Sequence, residues 1–373
     1  MFKFLLIVPD NESQIHVFPM GAAYIASSLR EAGYEVIVYS QDQYHYPEEH
    51  LTRFIDESCF DIIGLGTQGG YFQYKKLLSI SNAINKTRKH PLFVLGGHIA
   101  SPEPEYFLRK THADIVVIGE GERTIVELLD ALQTGLPLSQ IKGIAFLKNN
   151  KCIITEKREP IQDLDSISKP AWDLFPMDYY SLIRLPKTES IDRVGFVLSS
   201  RDCPFSCSFC FRMNTGIRLR NVDSIIEEVQ ILQRDYHITF IDFLDELLMA
   251  SSQRTYKICE AFIKAKLNIR WSCNGRLNFA KPEVLRIMKS SGCVFINYGI
   301  ESLDDEILRV MNKKLTVAQI TRGIEATLAT GISPGLNIIW GNLGETKEIL
   351  QKGVDFLLKY SDGSQLRTIR FVT

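Results

Sequence analysis

The sequence predicts an α/β protein built from two successive parallel units, and three observations lead to this fold class. Short β-rich runs alternate with amphipathic helical stretches from residue 1 to about residue 125, and the same alternation returns from residue 193 onward. Glycine-rich loops follow the predicted strands of the first unit. We therefore predict a doubly wound parallel sheet in residues 1–140, a connector in 141–192 and a parallel barrel in 193–373.

Five apolar runs of the first unit are typical of buried parallel strands. They span residues 4–8, 35–39, 62–66, 92–95 and 115–118. Helices are predicted between them, for instance at 21–32, where Gly33 follows the helix, and at 71–89. A further helix, a short β-like excursion and a stretch rich in proline and aspartate then lead to the second unit.

The second unit shows six strand-like runs, each separated from the next by a helical stretch. The strands are predicted at 194–198, 239–243, 269–273, 295–299, 335–340 and 367–372. The helices are predicted at 222–235, 252–265, 282–290, 304–311, 317–330 and 347–360. Because the sequence ends on the sixth strand, we expect a barrel that is truncated at that point.

Composition and charge narrow the class of protein. The chain is 45% apolar and 23% charged, as in ordinary globular proteins, and its net charge of −1 gives no argument for a nucleic-acid partner. No apolar run reaches the roughly twenty residues that a membrane span needs, and the first residues lack a signal-peptide pattern. We therefore expect a cytoplasmic protein without a membrane span, in which the five scattered cysteines are reduced and mostly buried: Cys59, Cys152, Cys259, Cys273 and Cys293.

Three further cysteines lie within eight residues of one loop, Cys203-Pro-Phe-Ser-Cys207-Ser-Phe-Cys210. These spacings let one loop hold three thiolates around a compact inorganic centre with one corner left open. A structural zinc site usually takes four ligands as two separated pairs, and the nearest other candidates, His237 and Cys259, form no second pair. A disulfide does not suit an odd trio in a chain without a secretory leader. The spacing therefore favours an iron–sulfur cluster over these two alternatives.

The motif C-x3-C-x-aromatic-x-C, placed just after the predicted strand 194–198, resembles the radical S-adenosylmethionine (SAM) superfamily. The resemblance implies a partial (β/α)6 barrel and a [4Fe-4S] cluster held by Cys203, Cys207 and Cys210. It also implies that SAM chelates the fourth iron and is cleaved reductively to a 5'-deoxyadenosyl radical. Phe209 occupies the aromatic position that lies near the adenine in this family.

Residues at successive predicted strand ends match the SAM-binding positions of the same family. Asp245 and Glu246 match the segment that receives the SAM amino group, and Arg276 offers a guanidinium suited to a carboxylate. Glu301 matches a ribose-binding acid, and Asn337 belongs to the stretch that lines adenine and methionine. Each of these residues alone is also explained by a structural role. Because the active sites of such barrels lie at the carboxyl ends of the strands, their order along the chain points to one site. No catalytic residue is assigned.

Glycine-rich loops at the carboxyl ends of the first unit's strands suggest a ligand site, although tight turns would explain any single loop. No G-x-G-x-x-G follows the first strand, which disfavours a dinucleotide. The candidate ligand-binding residues form three groups: Thr67, Gln68, Gly69 and Gly70; Gly96, Gly97 and His98; Gly119, Glu120, Gly121 and Glu122.

The order of motifs in the first unit is similar to the cobalamin-binding domain that is fused to radical SAM enzymes. The landmarks include Pro19-Met-Gly-Ala-Ala-Tyr-Ile25, Val94-Leu-Gly-Gly-His98 and the stretch around Gly119. The resemblance implies that cobalamin binds the three glycine-rich loops. The chain departs from many cobalamin proteins in having no D-x-H-x-x-G, and neither His16 nor His98 has that context. We therefore expect the lower face of cobalt to be capped without histidine.

Taken together, the two resemblances imply a cobalamin-dependent radical SAM enzyme that methylates an unactivated carbon of a small-molecule substrate. An external electron donor of the flavodoxin or ferredoxin type would supply the electron. Oxidative cyclisation or rearrangement with the same cofactors is an alternative outcome. A non-enzymatic iron–sulfur ligand sensor is the alternative from a different class.

Overall fold

The computed structural model describes residues 2–10 and 17–360 throughout, and residues 368–372 as backbone. The chain forms two compact units, Met1–Tyr180 and Ser181–Thr373. The boundaries predicted at residues 140 and 192 stay predictions.

The first unit contains one seven-stranded sheet. Its strands are β1 (Lys3–Val8), β2 (Glu35–Ser40), β3 (Ile62–Gly66), β4 (Leu92–Gly96), β5 (Ile115–Val117), β6 (Ile144–Lys148) and β7 (Lys151–Ile154). They lie in the order β2-β1-β3-β4-β5-β6-β7, and β1 to β5 pair in parallel, which confirms the doubly wound sheet. The strand order reverses at β1, and open α/β sheets bind ligands beyond the carboxyl ends of their strands at such a point.

An antiparallel hairpin extends this sheet at the β5 edge, where the sequence indicated only a short β-like excursion. β6 pairs antiparallel with β5 and with β7. Asn149 and Asn150 form the two-residue turn, with φ of +50° and +62°. Asparagine tolerates this left-handed conformation, which the tightest hairpin turns require at both central positions. The sheet is therefore parallel up to β5 and antiparallel beyond it.

Helices cover the faces of the first sheet, and their positions follow the predicted alternation. They are α1 (Met20–Glu31), α2 (Gln41–Tyr44), α3 (Glu48–Glu57), α4 (Tyr71–Asn85), α5 (Pro104–Thr111), α6 (Glu122–Thr134) and α7 (Met177–Tyr180). The prediction that α4 extends to residue 89 is wrong. The helix ends at Asn85 because the side chains of Asn85 and Thr87 donate to the carbonyls of Ser81 and Ile84, which closes the last turn.

The second unit contains a six-stranded parallel sheet and a short antiparallel ladder. Its strands are β8 (Val194–Val197), β9 (Ser200–Arg201), β10 (Arg218–Leu219), β11 (Phe240–Phe243), β12 (Arg270–Gly275), β13 (Cys293–Glu301), β14 (Ser333–Ile339) and β15 (Thr368–Val372). The main sheet has the order β15-β14-β13-β12-β11-β8, so each of these strands lies beside the preceding one. This sequential parallel order confirms the partial (β/α)6 barrel.

Helices follow the barrel strands within one or two residues of the predicted positions. They are α8 (Val222–Tyr236), α9 (Ser252–Lys264), α10 (Pro282–Ser290), α11 (Asp305–Val310), α12 (Val317–Ala329) and α13 (Lys347–Leu358). Five of them begin after a residue whose side chain accepts a hydrogen bond from the first turn, namely Asn221, Ser251, Asp304, Thr316 and Thr346. No helix within the described ranges is long and apolar enough to cross a membrane.

Candidate active site

The three clustered cysteines lie on the loop between β9 and β10, beyond the carboxyl end of β8. All three thiols are unpaired, and Cys207 is buried whereas Cys210 is exposed. Burial raises the pKa of the Cys203 and Cys210 thiols, and the proximity of Cys207 raises both pKa values further. The Cys210 N–H donates to the Cys207 carbonyl at 3.3 Å, and the Ser208 N–H donates to the Met311 carbonyl at 2.9 Å. The fold therefore keeps the three thiols on one short loop that is attached to the end of α11.

The donor set of this loop fits an iron–sulfur cluster. Within the described residues, no group of three histidine, cysteine or acidic side chains is arranged to hold a metal ion. A cubane cluster does not require such convergence, because each cysteine binds a different iron. Three free thiols at the carboxyl edge of the barrel thus suit the cluster that the sequence predicts, and Cys203, Cys207 and Cys210 remain its predicted ligands.

A buried ion pair closes the cysteine loop at its base. Asp202 has φ of +69°, and its Oδ2 accepts from Arg218 Nε and Nη2 at 2.8 and 2.6 Å. Both side chains are only 10–11% exposed. Asn214 Nδ2 also donates to Asp202 at 3.3 Å, and β9 pairs antiparallel with β10. Because low exposure strengthens a charged hydrogen bond, this ion pair fixes the residue that precedes Cys203.

Arg276 follows β12 and is 5% exposed. Its guanidinium carbon lies 3.7 Å from the centroid of the Phe205 ring, and its Nη1 lies 3.9 Å from Cys207 Sγ. Its Nε and Nη2 are buried and have no hydrogen-bond partner among the described residues. Buried donors are nearly always satisfied in folded proteins, so these two free guanidinium nitrogens indicate space for an anionic ligand.

The two acidic residues predicted after β11 differ in burial: the side chain of Asp245 is buried, and that of Glu246 is exposed. Asp245 is completely buried, and its carboxylate accepts from the Ser199 N–H at 3.0 Å, from the Ser199 hydroxyl at 2.8 Å and from the Ser200 hydroxyl. Glu246 is exposed, and its pKa is raised by desolvation and by nearby Asp202. The contacts of Asp245 are those of a residue that fixes the end of β8. Its role in SAM binding stays a prediction, as does that of Glu246.

Glu301 ends β13 in a left-handed conformation, with φ of +62°, after a register shift in its pairing with β14. Its Oε1 lies 2.7 Å from Lys313 Nζ, and both side chains are 8% exposed. A Cβ on Gly299 would collide with this carboxylate, so a larger residue there would displace Glu301 from its position beside Lys313. Lys313 Nζ also lies 5.8 Å from the centroid of Phe209. The shifted strand end thus turns Glu301 toward the cysteine loop, where its predicted ribose contact is untested.

Asparagine side chains form a hydrogen-bonded row across three neighbouring barrel strands. Asn337 Nδ2 donates to Asn297 Oδ1 at 2.9 Å, Asn297 Nδ2 donates to Asn274 Oδ1 at 3.0 Å, and Asn274 Nδ2 donates to the Asp245 carbonyl at 2.9 Å. Asn297 and Asn274 each accept one hydrogen bond and donate the next, and Asn337 donates at the end of the row, which holds this predicted adenine-site residue in a fixed orientation.

The three glycine-rich loops of the first unit meet at one edge of its sheet. The Thr67 N–H donates to the Gly96 carbonyl at 3.4 Å. Ser101 Oγ donates to the Gly97 carbonyl at 2.9 Å and accepts from the Gly119 N–H at 3.2 Å. Thr67 is 8% exposed, and its hydroxyl has no partner among the described residues. The edge therefore offers an unsatisfied buried hydroxyl beside exposed backbone.

Glycine is needed at this edge for more than one reason. Gly97 has φ of +92°, and a Cβ there would collide with the backbone of Thr67. A Cβ on Gly121 would lie 2.7 Å from the side chain of Ile25. By contrast, a Cβ on Gly69 or Gly119 would meet nothing within 4 Å, so these backbones border open space. Close packing on one side and open space on the other suit a flat ligand lying over the edge.

The remaining residues predicted for this edge differ in exposure. Gln68, Gly70 and His98 are exposed. Glu122 is buried at the start of α6. Glu120 accepts a hydrogen bond from the Ile161 N–H at 2.7 Å, so its carboxylate contacts the later part of the first unit. His16 lies outside the described residues.

Comparison with known proteins decides the family. The family model of the B12 binding domain matches residues 11–129, and that of the Radical SAM superfamily matches residues 197–357. Uncharacterized methyltransferase PH0819 of Pyrococcus horikoshii is 31% identical over 370 residues, which cover 96% of this chain and 78% of that protein. This chain is a radical SAM protein with a B12-binding domain.

Other relatives support the fold of this radical SAM protein. The anaerobic magnesium-protoporphyrin IX monomethyl ester cyclase of Rubrivivax gelatinosus is 26% identical over 345 residues, covering 90% of the chain and 60% of that protein. The radical S-adenosylmethionine methyltransferase TsrM of Kitasatospora setae, solved with cobalamin and a [4Fe-4S] cluster bound, aligns with a TM-score of 0.80 at 17% identity, covering 100% of the chain and 72% of TsrM. The chain thus spans 60–78% of these relatives.

Three residues of this radical SAM protein contribute to the site although the sequence reasoning did not select them. Phe205 stacks on Arg276, Lys313 pairs with Glu301, and Asn274 holds the asparagine row in place. Only Asn274 had a usable signal, because it lies near the carboxyl end of β12, two residues before Arg276. Lys313 follows a short helix, and no periodicity connects it to the strand ends.

Proposed function

We propose that this protein is a cobalamin-dependent radical SAM enzyme that transfers a methyl group to an unactivated carbon of a small-molecule substrate. The observation that carries the proposal is the juxtaposition of the three free cysteines with Arg276, a buried cation whose Nε and Nη2 have no partner among the described residues. The three cysteines would supply thiolates for a cluster, and Arg276 would supply hydrogen-bond donors for the carboxylate of an amino acid.

The second unit would hold the cluster and SAM. Cys203, Cys207 and Cys210 would bind three irons, and Arg276 would receive the SAM carboxylate through its free Nε and Nη2. The Lys313 ammonium holds Glu301 close to Phe209, which suits the predicted ribose and adenine contacts. When bound, the cluster and SAM would supply a 5'-deoxyadenosyl radical by one-electron cleavage of the sulfonium, and cobalamin would supply the methyl group.

The first unit would bind cobalamin over its glycine-lined edge. The unsatisfied Thr67 hydroxyl and the open space beside Gly69 and Gly119 support this assignment. Helices α4 and α6 begin at this edge, and neither has a side-chain cap, so their first N–H groups are available to polar groups of a ligand. Cobalt would be capped without histidine, since the one described histidine of these loops, His98, is exposed and lacks the D-x-H-x-x-G context.

The same proposal covers the partners and the compartment. An external one-electron donor of the flavodoxin or ferredoxin type would reduce the cluster. All eight cysteines are free thiols, which suits a reducing cytoplasm. Oxidative cyclisation with the same cofactors is a second candidate, favoured by the 26% identity to a protein named as an ester cyclase.

Anaerobic reconstitution tests the proposal. We expect about four irons and one cobalt per chain, an electron paramagnetic resonance (EPR) spectrum of the reduced cluster that changes when SAM is added, and release of 5'-deoxyadenosine with dithionite as reductant. Cys203→Ala, Cys207→Ala and Cys210→Ala should each lose the cluster, whereas the exposed Cys59→Ala serves as the matched control and should retain it. A wild-type chain that takes up no cluster would refute the proposal. Trideuteromethyl-labelled SAM then separates methyl transfer from cyclisation, because only the former moves the label into product.

A further inference from the structure

The charged side chains around the cysteine loop are mostly paired with an opposite charge. Arg218 is bound to Asp202 at 2.6 Å, and Lys313 is bound to Glu301 at 2.7 Å. Because the two opposite charges of each pair lie so close together, their effects on a more distant group largely cancel.

A third cation near the loop also faces an opposite charge. Arg212 Nη1 donates to the Phe205 carbonyl at 2.9 Å. Burial and the charge of Asp202 raise the pKa of Glu246, and the positive charge of Arg212 opposes that rise, so Arg212 and Glu246 are close enough to interact. Three cations near the cluster ligands thus have acidic neighbours.

Arg276 differs from these three cations. No carboxylate of the described chain lies within ion-pair distance of its guanidinium, and its nearest polar contact is Cys207 Sγ at 3.9 Å. It is 5% exposed, and the Phe205 ring covers one face of the guanidinium at 3.7 Å, so water screens its charge poorly. An uncompensated cation therefore lies directly beside a predicted cluster ligand.

We propose that Arg276 couples occupation of the SAM site to the reduction potential of the cluster. The inference rests on the function proposed above and adds an electrostatic role to Arg276 as a positioning residue. Its free Nε and Nη2 take the carboxylate of SAM, and this pairing cancels the charge that its Nη1 presents to Cys207. The SAM carboxylate is thus the group that Arg276 recognises and also the group that changes the electrostatic field at the cluster.

The sign of the coupling follows from the charges. Reduction adds one electron from an external donor to the cluster, and an unpaired cation beside a thiolate ligand stabilises that added negative charge. Without SAM, Arg276 therefore raises the reduction potential. A carboxylate bound to Arg276 removes this contribution, so the potential falls when SAM binds. By reciprocity, the oxidised cluster must bind SAM more tightly than the reduced cluster by the factor that corresponds to this fall.

The test is a redox titration of the reconstituted full-length chain, with dithionite as reductant and the cluster EPR signal as readout. We expect Arg276→Gln and Arg276→Met to lower the potential measured without SAM, and Arg276→Lys to restore it because lysine keeps the charge. Two neutral replacements make the result independent of how either side chain packs. The matched control is Arg270→Gln with Asp192→Asn, which removes a paired cation and its acid at the opposite end of the strand that precedes Arg276 and should leave the SAM-free potential unchanged.

Saturating SAM should then close the gap in potential between the wild type and the two neutral variants. S-adenosylmethioninamine, which lacks the carboxylate but keeps the sulfonium and the amine, should leave that gap open. Equal SAM-free potentials in the wild type and both neutral variants, or a gap that SAM does not close, would overturn the inference. In either case a wild-type cluster whose EPR spectrum responds to SAM would leave the proposed function intact. Failure of the wild type to take up a cluster would overturn both.

Discussion

Removal of the Asp245 carboxylate should destabilise the start of the barrel more than it weakens ligand binding. In the wild type this fully buried group accepts from one backbone N–H and from the hydroxyls of Ser199 and Ser200. Asp245→Ala leaves these three donors without an acceptor, at about 1–3 kcal/mol each. Part of this loss is offset because burial raises the pKa of Asp245, which shows that the charged form is costly to bury. We therefore expect a net loss of roughly 3 kcal/mol.

The loss is measured as local stability, because the chain forms two compact units and a single unfolding free energy is not defined for it. Hydrogen exchange followed by mass spectrometry on peptides that cover β8 and β11 gives the opening free energy at the site. A change of about 3 kcal/mol corresponds to roughly a hundredfold loss of protection. Glu246→Ala, one residue away and exposed, is the matched control and should change protection by less than about 0.5 kcal/mol.

The opposite result would refute the reasoning. If Asp245→Ala kept wild-type protection in β8 and β11 but lost the effect of SAM on the cluster spectrum, then the carboxylate would be a ligand group. The contacts to Ser199 and Ser200 would then be incidental to stability.

Three further predictions concern strain, charge and loop closure. Gly97→Ala places a Cβ against the Thr67 backbone and forces a residue with φ of +92°, so it should cost the first unit about 1–3 kcal/mol and reduce cobalt per chain, with no change in iron per chain. Burial raises the pKa of the Asp242 carboxyl from the usual 3.8 to about 6, so the folded chain binds this proton more tightly than the unfolded chain does. The stability that the bound proton contributes is therefore lost as the pH rises from about 4 to 6. Asp242→Asn should therefore stabilise the second unit in urea at pH 8 by up to about 3 kcal/mol and show little difference at pH 4; equal effects at both pH values would contradict this sign. Asp202→Asn removes the charge that holds Arg218, so iron should leave the cluster to a chelator several-fold faster, and unchanged release kinetics would count against the role of the ion pair.

The fold could be predicted because its signals are local. The starts of the helices at 222, 252 and 347 follow capping side chains that stand directly before them in the sequence, namely Asn221, Ser251 and Thr346. Apolar runs between them are buried on both faces, as in any parallel sheet with helices on its sides. The end of α4 was misjudged because side chains of Asn85 and Thr87 compete with the helix for backbone carbonyls, and that competition depends on geometry rather than on composition.

The site was only partly predictable, because its decisive contacts join residues far apart in the chain. Neighbouring acids Asp245 and Glu246 are alike in sequence, and only the position of Ser199 determines which of them turns inward. Lys313 contacts Glu301 from twelve residues away, across the short helix α11, and no sequence pattern connects the two residues. Local patterns therefore identified the strand ends that carry the site but left the orientation of their side chains open.

Three cysteines that show no pattern in the sequence, Cys259, Cys273 and Cys293, also lie close together in the fold. Cys273 and Cys293 lie on neighbouring strands, and the proximity of Cys293 raises the pKa of the Cys273 thiol beyond the effect of burial. Burial raises the pKa of the Cys259 thiol on α9 to about 12, and the proximity of Cys293 adds to the rise. Cys259 and Cys273 are therefore protonated at neutral pH and pack as small apolar groups.

Two strained residues show how the fold prepares the cysteine loop. Asp202 and Glu301 both adopt the left-handed conformation, at φ of +69° and +62°, which costs a non-glycine residue of order 1–3 kcal/mol. Each carboxylate is held by a cation in a nearly buried pair, Arg218 for Asp202 and Lys313 for Glu301. Because separating either carboxylate from its cation would leave an uncompensated buried charge, at a cost of about 3–5 kcal/mol, each pair keeps its residue in the strained conformation. Both lie beside the three thiols, so the loop geometry is set by the chain itself, and a cluster would bind a shape that is already formed.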